Sequence, residues 1–308
     1  MKKNTLASLL FIFAFLLSIN LRSQSIVEFE VTPKWLSKIE AITPLKTTVK
    51  AKERNVLLFS LHTGFKHWVI PHSAAVIQTI AGKTGAFNIT QTMDATIFTR
   101  RSLKKYDVVV MNNNCSIGPK RDLFYDALET VLDTVKRAKK AARLEVNLLS
   151  YVKRGGGLVV LHGGIVMQNN SEKVSDMIGG SFNYHPAQQL LNVKLVDTSH
   201  EMVQSFNGEG FQHIDEPYFF KNAYDNYDFR PLLYIETREL ELKKPEPQNI
   251  KYISWIKRYG RGRVFYSSPS HNAQSYDNPN LISFIMNGLQ YAAGDLKCDD
   301  SPIGKKPE

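Results

Sequence analysis

The residues of this sequence best suited to catalysis or metal binding are histidines. Several of them directly follow short apolar runs typical of strands. His62 and His67 follow NVLLFSL, His162 follows GLVVL, and His271 follows GRVFYSS, while Asn112–Asn114 end a further run. In an open α/β sheet, ligands bind beyond the carboxyl ends of the strands. We therefore expect these residues to share one rim, where imidazoles can move protons near neutral pH or bind a metal.

The stretch GGGLVVLHGG, residues 155–164, draws particular attention to His162. Many α/β enzymes place a Ser or Cys nucleophile in the tight turn that follows such a strand. Gly163 and Gly164 allow positive φ and close backbone approach, as a ligand site requires. Gly155–Gly157 have a simpler interpretation, ending one helix and starting the strand. We predict His162 and His271 as catalytic groups.

An acidic partner is predicted in FQHIDEPYFF, residues 211–220. In an extended segment His213 and Asp215 share one face and Glu216 lies on the other, so only one face can look into a site. Asp215 and Glu216 are both candidate catalytic carboxylates. A surface salt-bridge cluster is the alternative interpretation.

The apolar runs alternate with helical segments, which predicts an α/β fold with a mostly parallel sheet covered on both faces. Helical patterns cover about 71–82, a long charged region at about 120–152 that is elongated or broken, and a final helix at about 280–293. Beyond residue 190 strand-like runs follow one another with few helices, which favours additional antiparallel strands at the C-terminal side.

Residues 1–25 have the pattern of a secretory signal peptide, with two lysines, an apolar run and small polar residues near Ser23–Ser25. The apolar run is shorter than the roughly 20 residues of a membrane-spanning helix. We expect an exported protein, periplasmic or secreted, with no membrane span after cleavage. The predicted organisation is a signal peptide (1–25), an N-terminal extension (26–52), one domain (53–295) and a tail (296–308).

The chain carries a formal charge of +10, but its basic runs are scattered and not interleaved with aromatic residues. We therefore expect no nucleic-acid partner. The only two cysteines, Cys115 and Cys298, match no zinc-binding spacing and are equally compatible with a disulfide and with two free thiols. Association into a homo-oligomer is left open.

The sequence resembles the ThuA-like (trehalose utilisation) family, which has the class I glutamine amidotransferase-like fold. The resemblance covers residues 55–294, and its marks are GFKH (64–67), YVKRGGGLVVLHGG (151–164), IGGSFNYHP (178–186), IDEPY (214–218), YGRGRVFYSSPSH (259–271) and YAAGD (291–295). It implies a three-layer, flavodoxin-like and mostly parallel sheet with additional C-terminal antiparallel strands.

The resemblance also implies functional positions. The family pattern keeps histidines, an acidic pair and a tryptophan at the positions of His67, His162, His185, His271, Asp215, Glu216 and Trp255. The chain departs from that pattern at SPSH (268–271) and at SHEM (199–202). We predict a substrate-binding set of His67, His185, Tyr218, Trp255 and Asn113.

The family supplies a link to carbohydrates, so the leading hypothesis is an exported enzyme acting on a glycoside or keto-sugar by His/carboxylate acid–base chemistry. Its sharper form adds Zn²⁺ or another divalent metal, held by His162, His185, His271 and Glu216. Cys115 follows a different strand from the one that carries the amidotransferase nucleophile, so amidotransferase chemistry is disfavoured. The alternative is a non-catalytic carbohydrate-binding or assembly protein.

Overall fold

A computed structural model of the chain describes residues 26–304 except 51 and 117. The predicted signal peptide lies outside the described residues. Within them the strands are β1 (Arg54–Phe59), β2 (Phe87–Thr92), β3 (Val108–Asn112), β4 (Gly157–Leu161), β5 (Ser181–Tyr184), β6 (Gln189–Leu195), β7 (Phe211–Asp215), β8 (Phe219–Lys221), β9 (Arg230–Glu236), β10 (Ile250–Tyr259) and β11 (Gly262–Ser267). The helices are α1 (Pro33–Ile42), α2 (Ile70–Thr84), α3 (Arg100–Leu103), α4 (Leu123–Ala127), α5 (Thr134–Lys153), α6 (Glu172–Ile178) and α7 (Pro279–Ala293).

Nine strands form one sheet in the order β2-β1-β3-β4-β11-β10-β9-β6-β7, and β5 pairs with β8 separately. The first five strands are parallel, and the remaining four join by antiparallel pairing. The parallel half has the flavodoxin-like 2-1-3-4-5 order. The predicted fold class is thus confirmed, including the antiparallel strands at the C-terminal side.

Helices cover both faces of the sheet because the central strands are apolar on both sides. Val56 and Leu58 of β1 belong to one buried cluster, with α1, α2 and α7, while Leu57 and Phe59 belong to the cluster under α5 and α6. Successive strand side chains point to opposite faces, so one apolar run supplies both cores. The result is a three-layer α/β structure.

The long charged region is broken into two helices, α4 and α5, which is one of the two forms predicted for it. Asp133 is the N-cap of α5, because its side chain accepts hydrogen bonds from the N–H groups of Val135 and Lys136 at 3.0 Å. No helix among the described residues is long and apolar enough to cross a membrane. Cys115 and Cys298 are both free thiols.

Candidate functional site

The ends of four elements bring three histidines and one glutamate together. His67 lies in the loop after β1, His162 directly follows β4, His271 lies in the loop after β11, and Glu216 follows β7. One ligand atom from each of these four side chains lies within 4.8 Å of the others. The strands β1, β3, β4 and β11 are parallel neighbours, so their carboxyl ends meet at one rim.

His162 stands in a strained turn at the end of β4, with φ of +41°. Gly163 and Gly164, which follow it, have no positive φ, so only the predicted close approach of neighbouring groups applies to them. A Cβ on Gly163 would lie 2.5 Å from Cε1 of His67, and one on Gly164 would lie 2.7 Å from the carbonyl oxygen of Met111. The glycines therefore leave room for His67 and β3, while His162 itself bears the unusual backbone conformation that clusters at functional sites.

The ring of His162 is oriented by the main chain. Its Nδ1 lies 2.7 Å from the carbonyl oxygen of Ser268, and because a carbonyl only accepts, Nδ1 carries the hydrogen. Nε2 is then directed into the cluster, where the neutral form of the ring would present its lone pair. A backbone carbonyl that fixes one ring nitrogen in this way is the usual outer partner of a metal-binding histidine.

Three of the four groups form a compact triangle. Nε2 of His162 lies 3.1 Å from Nδ1 of His271, and Oε2 of Glu216 lies 3.1 Å from the latter and 3.5 Å from the former. Tetrahedral Zn²⁺ with bonds of about 2.0–2.2 Å separates its ligand atoms by roughly 3.3 Å. These distances suit either shared protons or a bound divalent metal, and His67 would complete the set or stand beside it.

The charge states of the cluster follow from its burial and close spacing. Burial acts to raise the pKa of the Glu216 carboxyl, but the imidazoles of His162 and His271 outweigh it and lower that pKa well below its usual range. Burial acts to lower the pKa of His271, yet the Glu216 carboxylate beside it raises that pKa overall. Burial, reinforced by the neighbouring imidazoles, holds the pKa of His67 well below 6.5. At neutral pH the site thus has an ionised Glu216 and a neutral His67.

Cys115 lies against His67 but offers no thiolate. Its Sγ is 3.7 Å from Nδ1 of His67 and 3.6 Å from the carbonyl oxygen of Gly163. Burial, with a contribution from the Glu216 charge, raises the pKa of Cys115 to about 12. Since a thiolate is the nucleophile in amidotransferase chemistry, the thiol is unsuited to that reaction.

A pocket of about 270 Å³ opens beside the cluster. Its walls combine aromatic, polar and charged groups: Phe65, His67, Cys115, Ser116, Arg121, Val166, Phe182, His185, Glu216 and Tyr218. The ring of Tyr218 lies 4.2 Å from that of His162, and the half-exposed ring of Phe65 stacks on His271 at 6.3 Å. The pocket therefore offers apolar ring faces next to the polar cluster.

Some of the predicted site residues line the pocket and others do not. His67, Tyr218 and His185 line the pocket, and Nε2 of His185 lies 3.6 Å from Oε1 of Glu216. His185 is nevertheless outside the group of four whose ligand atoms lie within 4.8 Å of one another, and that group contains His67 in its place. The face of the FQHIDEPYFF segment that looks into the site is the one with Glu216.

Three other predicted site residues are buried and do not line the pocket. Trp255 is fully buried and donates from Nε1 to the carbonyl oxygen of Ile178, so its ring faces the core under α6 and not a sugar. Asn113 is also fully buried, and its side-chain oxygen accepts the N–H of Gly163 at 3.3 Å. Asp215 accepts hydrogen bonds from the backbone N–H groups of Ser270 and His271 rather than facing the pocket. Asn113 and Asp215 are therefore positioning residues.

The predicted site residues did not include six wall residues, namely Phe65, Cys115, Ser116, Arg121, Val166 and Phe182. Phe65 stands inside GFKH and Phe182 inside IGGSFNYHP, two of the quoted motifs, so proximity to the histidines was an available signal. Ser116 and Arg121 lie in the loop between β3 and α4, where no periodicity indicates which side chains turn inward.

We expect Gly163→Ala to disturb the cluster selectively. The new methyl group would push His67 away, which should weaken metal binding about 10-fold and lower the free energy of unfolding by about 1–3 kcal/mol. Calorimetric titration with Zn²⁺ and urea unfolding measure the two effects. Gly82→Ala in α2 is the matched control, because a Cβ there meets nothing within 4 Å. An unchanged Zn²⁺ affinity in Gly163→Ala would count against a place for His67 in the site.

The parallel rim and its histidine–glutamate cluster define an α/β protein with an amidotransferase-like fold but without the nucleophilic cysteine. The ThuA family, described as trehalose utilisation, matches residues 55–292. The chain belongs to this family.

Solved structures agree on the fold. A putative ThuA-like protein from Bacteroides uniformis is 17% identical with a TM-score of 0.59, and the match covers 80% of this chain and 94% of that one. A putative ThuA-like protein from Parabacteroides merdae is 16% identical with a TM-score of 0.55, covering 83% of this chain and 100% of that one. A search of curated proteins finds no match.

Proposed function

We propose that this protein is an exported enzyme that acts on a glycoside or keto-sugar through metal-assisted acid–base chemistry at His67, His162, Glu216 and His271. The observation that carries the proposal is the convergence of three imidazoles and one carboxylate within 4.8 Å beside an aromatic-walled pocket. Family membership supports the carbohydrate link. Export rests on the pattern of residues 1–25.

The donor set suits a divalent transition metal, because imidazole nitrogens with one carboxylate are typical ligands of catalytic zinc. His162, His271 and Glu216 would hold it, since their atoms already have the spacing of a tetrahedral site. A metal bound there would polarise a substrate carbonyl or lower the pKa of a water molecule. His67 would remain beside it as a fourth ligand or as a base.

The protein's own groups would supply a proton acceptor and a hydrogen-bond donor. His67 is neutral at pH 7, so it can accept a proton from water or from the carbon next to a substrate carbonyl. Burial raises the pKa of Tyr218 well above 10, so its hydroxyl stays protonated and can donate a hydrogen bond to a sugar oxygen. The rings of Phe65 and Phe182 offer apolar faces for the sugar ring.

The test combines metal analysis with turnover. Protein purified without chelators should contain about one equivalent of a transition metal, and chelation should abolish its activity on a panel of glycosides and keto-disaccharides. Less than about 0.1 equivalent with activity intact would contradict the metal. Tight calorimetric binding of sugars without any product would instead support the non-catalytic alternative.

A further inference from the structure

Arg121 is a cation in the wall of the pocket that the acid–base chemistry leaves unused. It lies after a turn closed by its own N–H and the carbonyl oxygen of Gly118, with φ of +49°. No other lysine or arginine lines the pocket within the described part of the chain.

The guanidinium has most of its hydrogen-bonding capacity free. A guanidinium carries five N–H donors, and Nη1 of Arg121 donates one bond, of 3.3 Å, to the carbonyl oxygen of Ser116. Among residues 26–304 with their two gaps, no carboxylate forms an ion pair with Arg121. Arg121 is half-buried in the pocket wall, and its remaining nitrogens are not among the fully buried polar atoms.

The nearby carboxylates are committed elsewhere. Asp126 accepts hydrogen bonds from the hydroxyls of Ser116 and Thr63 at 2.7 and 2.8 Å. Glu216 lies against His162 and His271. The guanidinium of Arg121 is therefore available to pair with an anionic group that enters the pocket.

We propose that Arg121 binds an anionic group of the substrate, a carboxylate or a phosphate, while the sugar ring lies over the histidine–glutamate cluster. The substrate class is then an acidic sugar, of which a uronic acid is the simplest member. An arginine fork matches the two oxygens of a carboxylate or phosphate and gives bidentate bonds. A pocket of about 270 Å³ suits a single ring rather than a long chain. The sugar part of this inference rests on the proposed function.

The experiment is calorimetric titration of the full chain with glucuronate, glucose 6-phosphate and glucose. We expect at least one acidic sugar to bind more than about 10-fold tighter than glucose, and Arg121→Ala to remove that difference. Arg121→Lys should restore part of it, because lysine keeps the charge but not the fork. Preference for glucose 6-phosphate over glucuronate would identify the bound anion as phosphate, and the reverse as carboxylate.

Arg143→Ala is the matched control, since it removes an exposed positive charge from α5, outside the pocket, and should leave all three affinities unchanged. Equal binding of acidic and neutral sugars by the unaltered protein would overturn the inference, and so would a preference for acidic sugars in Arg121→Ala as large as in the unaltered protein. The titrations are repeated after chelation. If the proposed function fails, the protein contains no metal and shows no turnover, while its binding of acidic sugars still depends on Arg121. If this inference fails, metal content and turnover remain, and sugar binding does not depend on Arg121.

Discussion

His162→Ala and His271→Ala should each weaken Zn²⁺ binding by more than about 100-fold, because loss of an outer partner alone costs about 10–100-fold and these side chains supply ligand atoms. Both nitrogens lie in the triangle with Oε2 of Glu216, at 3.1–3.5 Å. Titration of metal-free protein with Zn²⁺ measures the loss. Turnover, where a substrate is found, should fall in parallel.

His185→Ala separates the site seen in the structure from the set predicted by the sequence. Its imidazole contacts Glu216 but lies outside the four-residue group, so its loss should cost at most about 10-fold in Zn²⁺ affinity. His62→Ala, at the end of the same strand as His67 but outside the pocket, should cost nothing. Retention of full affinity in both His162→Ala and His271→Ala would refute the metal centre.

The parts of the site at strand ends could be predicted, because parallel strands bring their carboxyl ends to one rim whatever the loops do. This rule placed His67, His162 and His271 correctly from apolar runs alone. The alternation of side chains in an extended segment also predicted that only one of the two carboxylates faces the site, since Asp215 and Glu216 lie on opposite faces. Spacing could not say which face looks inward, because that depends on the strands that β7 joins.

The errors have physical causes of the same kind. Trp255 lies on β10, a strand buried on both faces, and the sequence does not reveal which face meets the pocket and which meets α6. His185 and Arg121 lie in loops, where no hydrophobic period fixes side-chain direction. Positive φ was expected at Gly163, where close packing of His67 is the actual constraint, and it occurs at His162 instead.

Asp215→Ala should destabilise the protein by about 3–5 kcal/mol, because it leaves buried N–H groups without partners. Oδ2 of Asp215 accepts the N–H of Ser270 at 2.7 Å, and both oxygens lie 3.2 Å from the N–H of His271. Oδ1 also accepts the N–H of Glu216 at 2.8 Å. Asp215 therefore joins the two loops that present His271 and Glu216, including Ser270 at its positive φ of 101°.

Because Asp215 positions the two proposed ligands His271 and Glu216, the loss of its side chain should also weaken Zn²⁺ binding by about 10–100-fold. Asp215→Asn keeps the shape but offers one acceptor instead of two, so it should lose about 2 kcal/mol and provides a folded variant for the titration. Urea unfolding of metal-free protein measures stability. Asp277→Ala, which removes an exposed ion pair with Lys38, should cost only about 0–1 kcal/mol. Equal losses of unfolding free energy in the Asp215 and Asp277 variants, with Zn²⁺ affinity unchanged, would show that Asp215 does not hold the site together. A larger loss in the Asp215 variants, together with weaker Zn²⁺ binding, would assign Asp215 a positioning role.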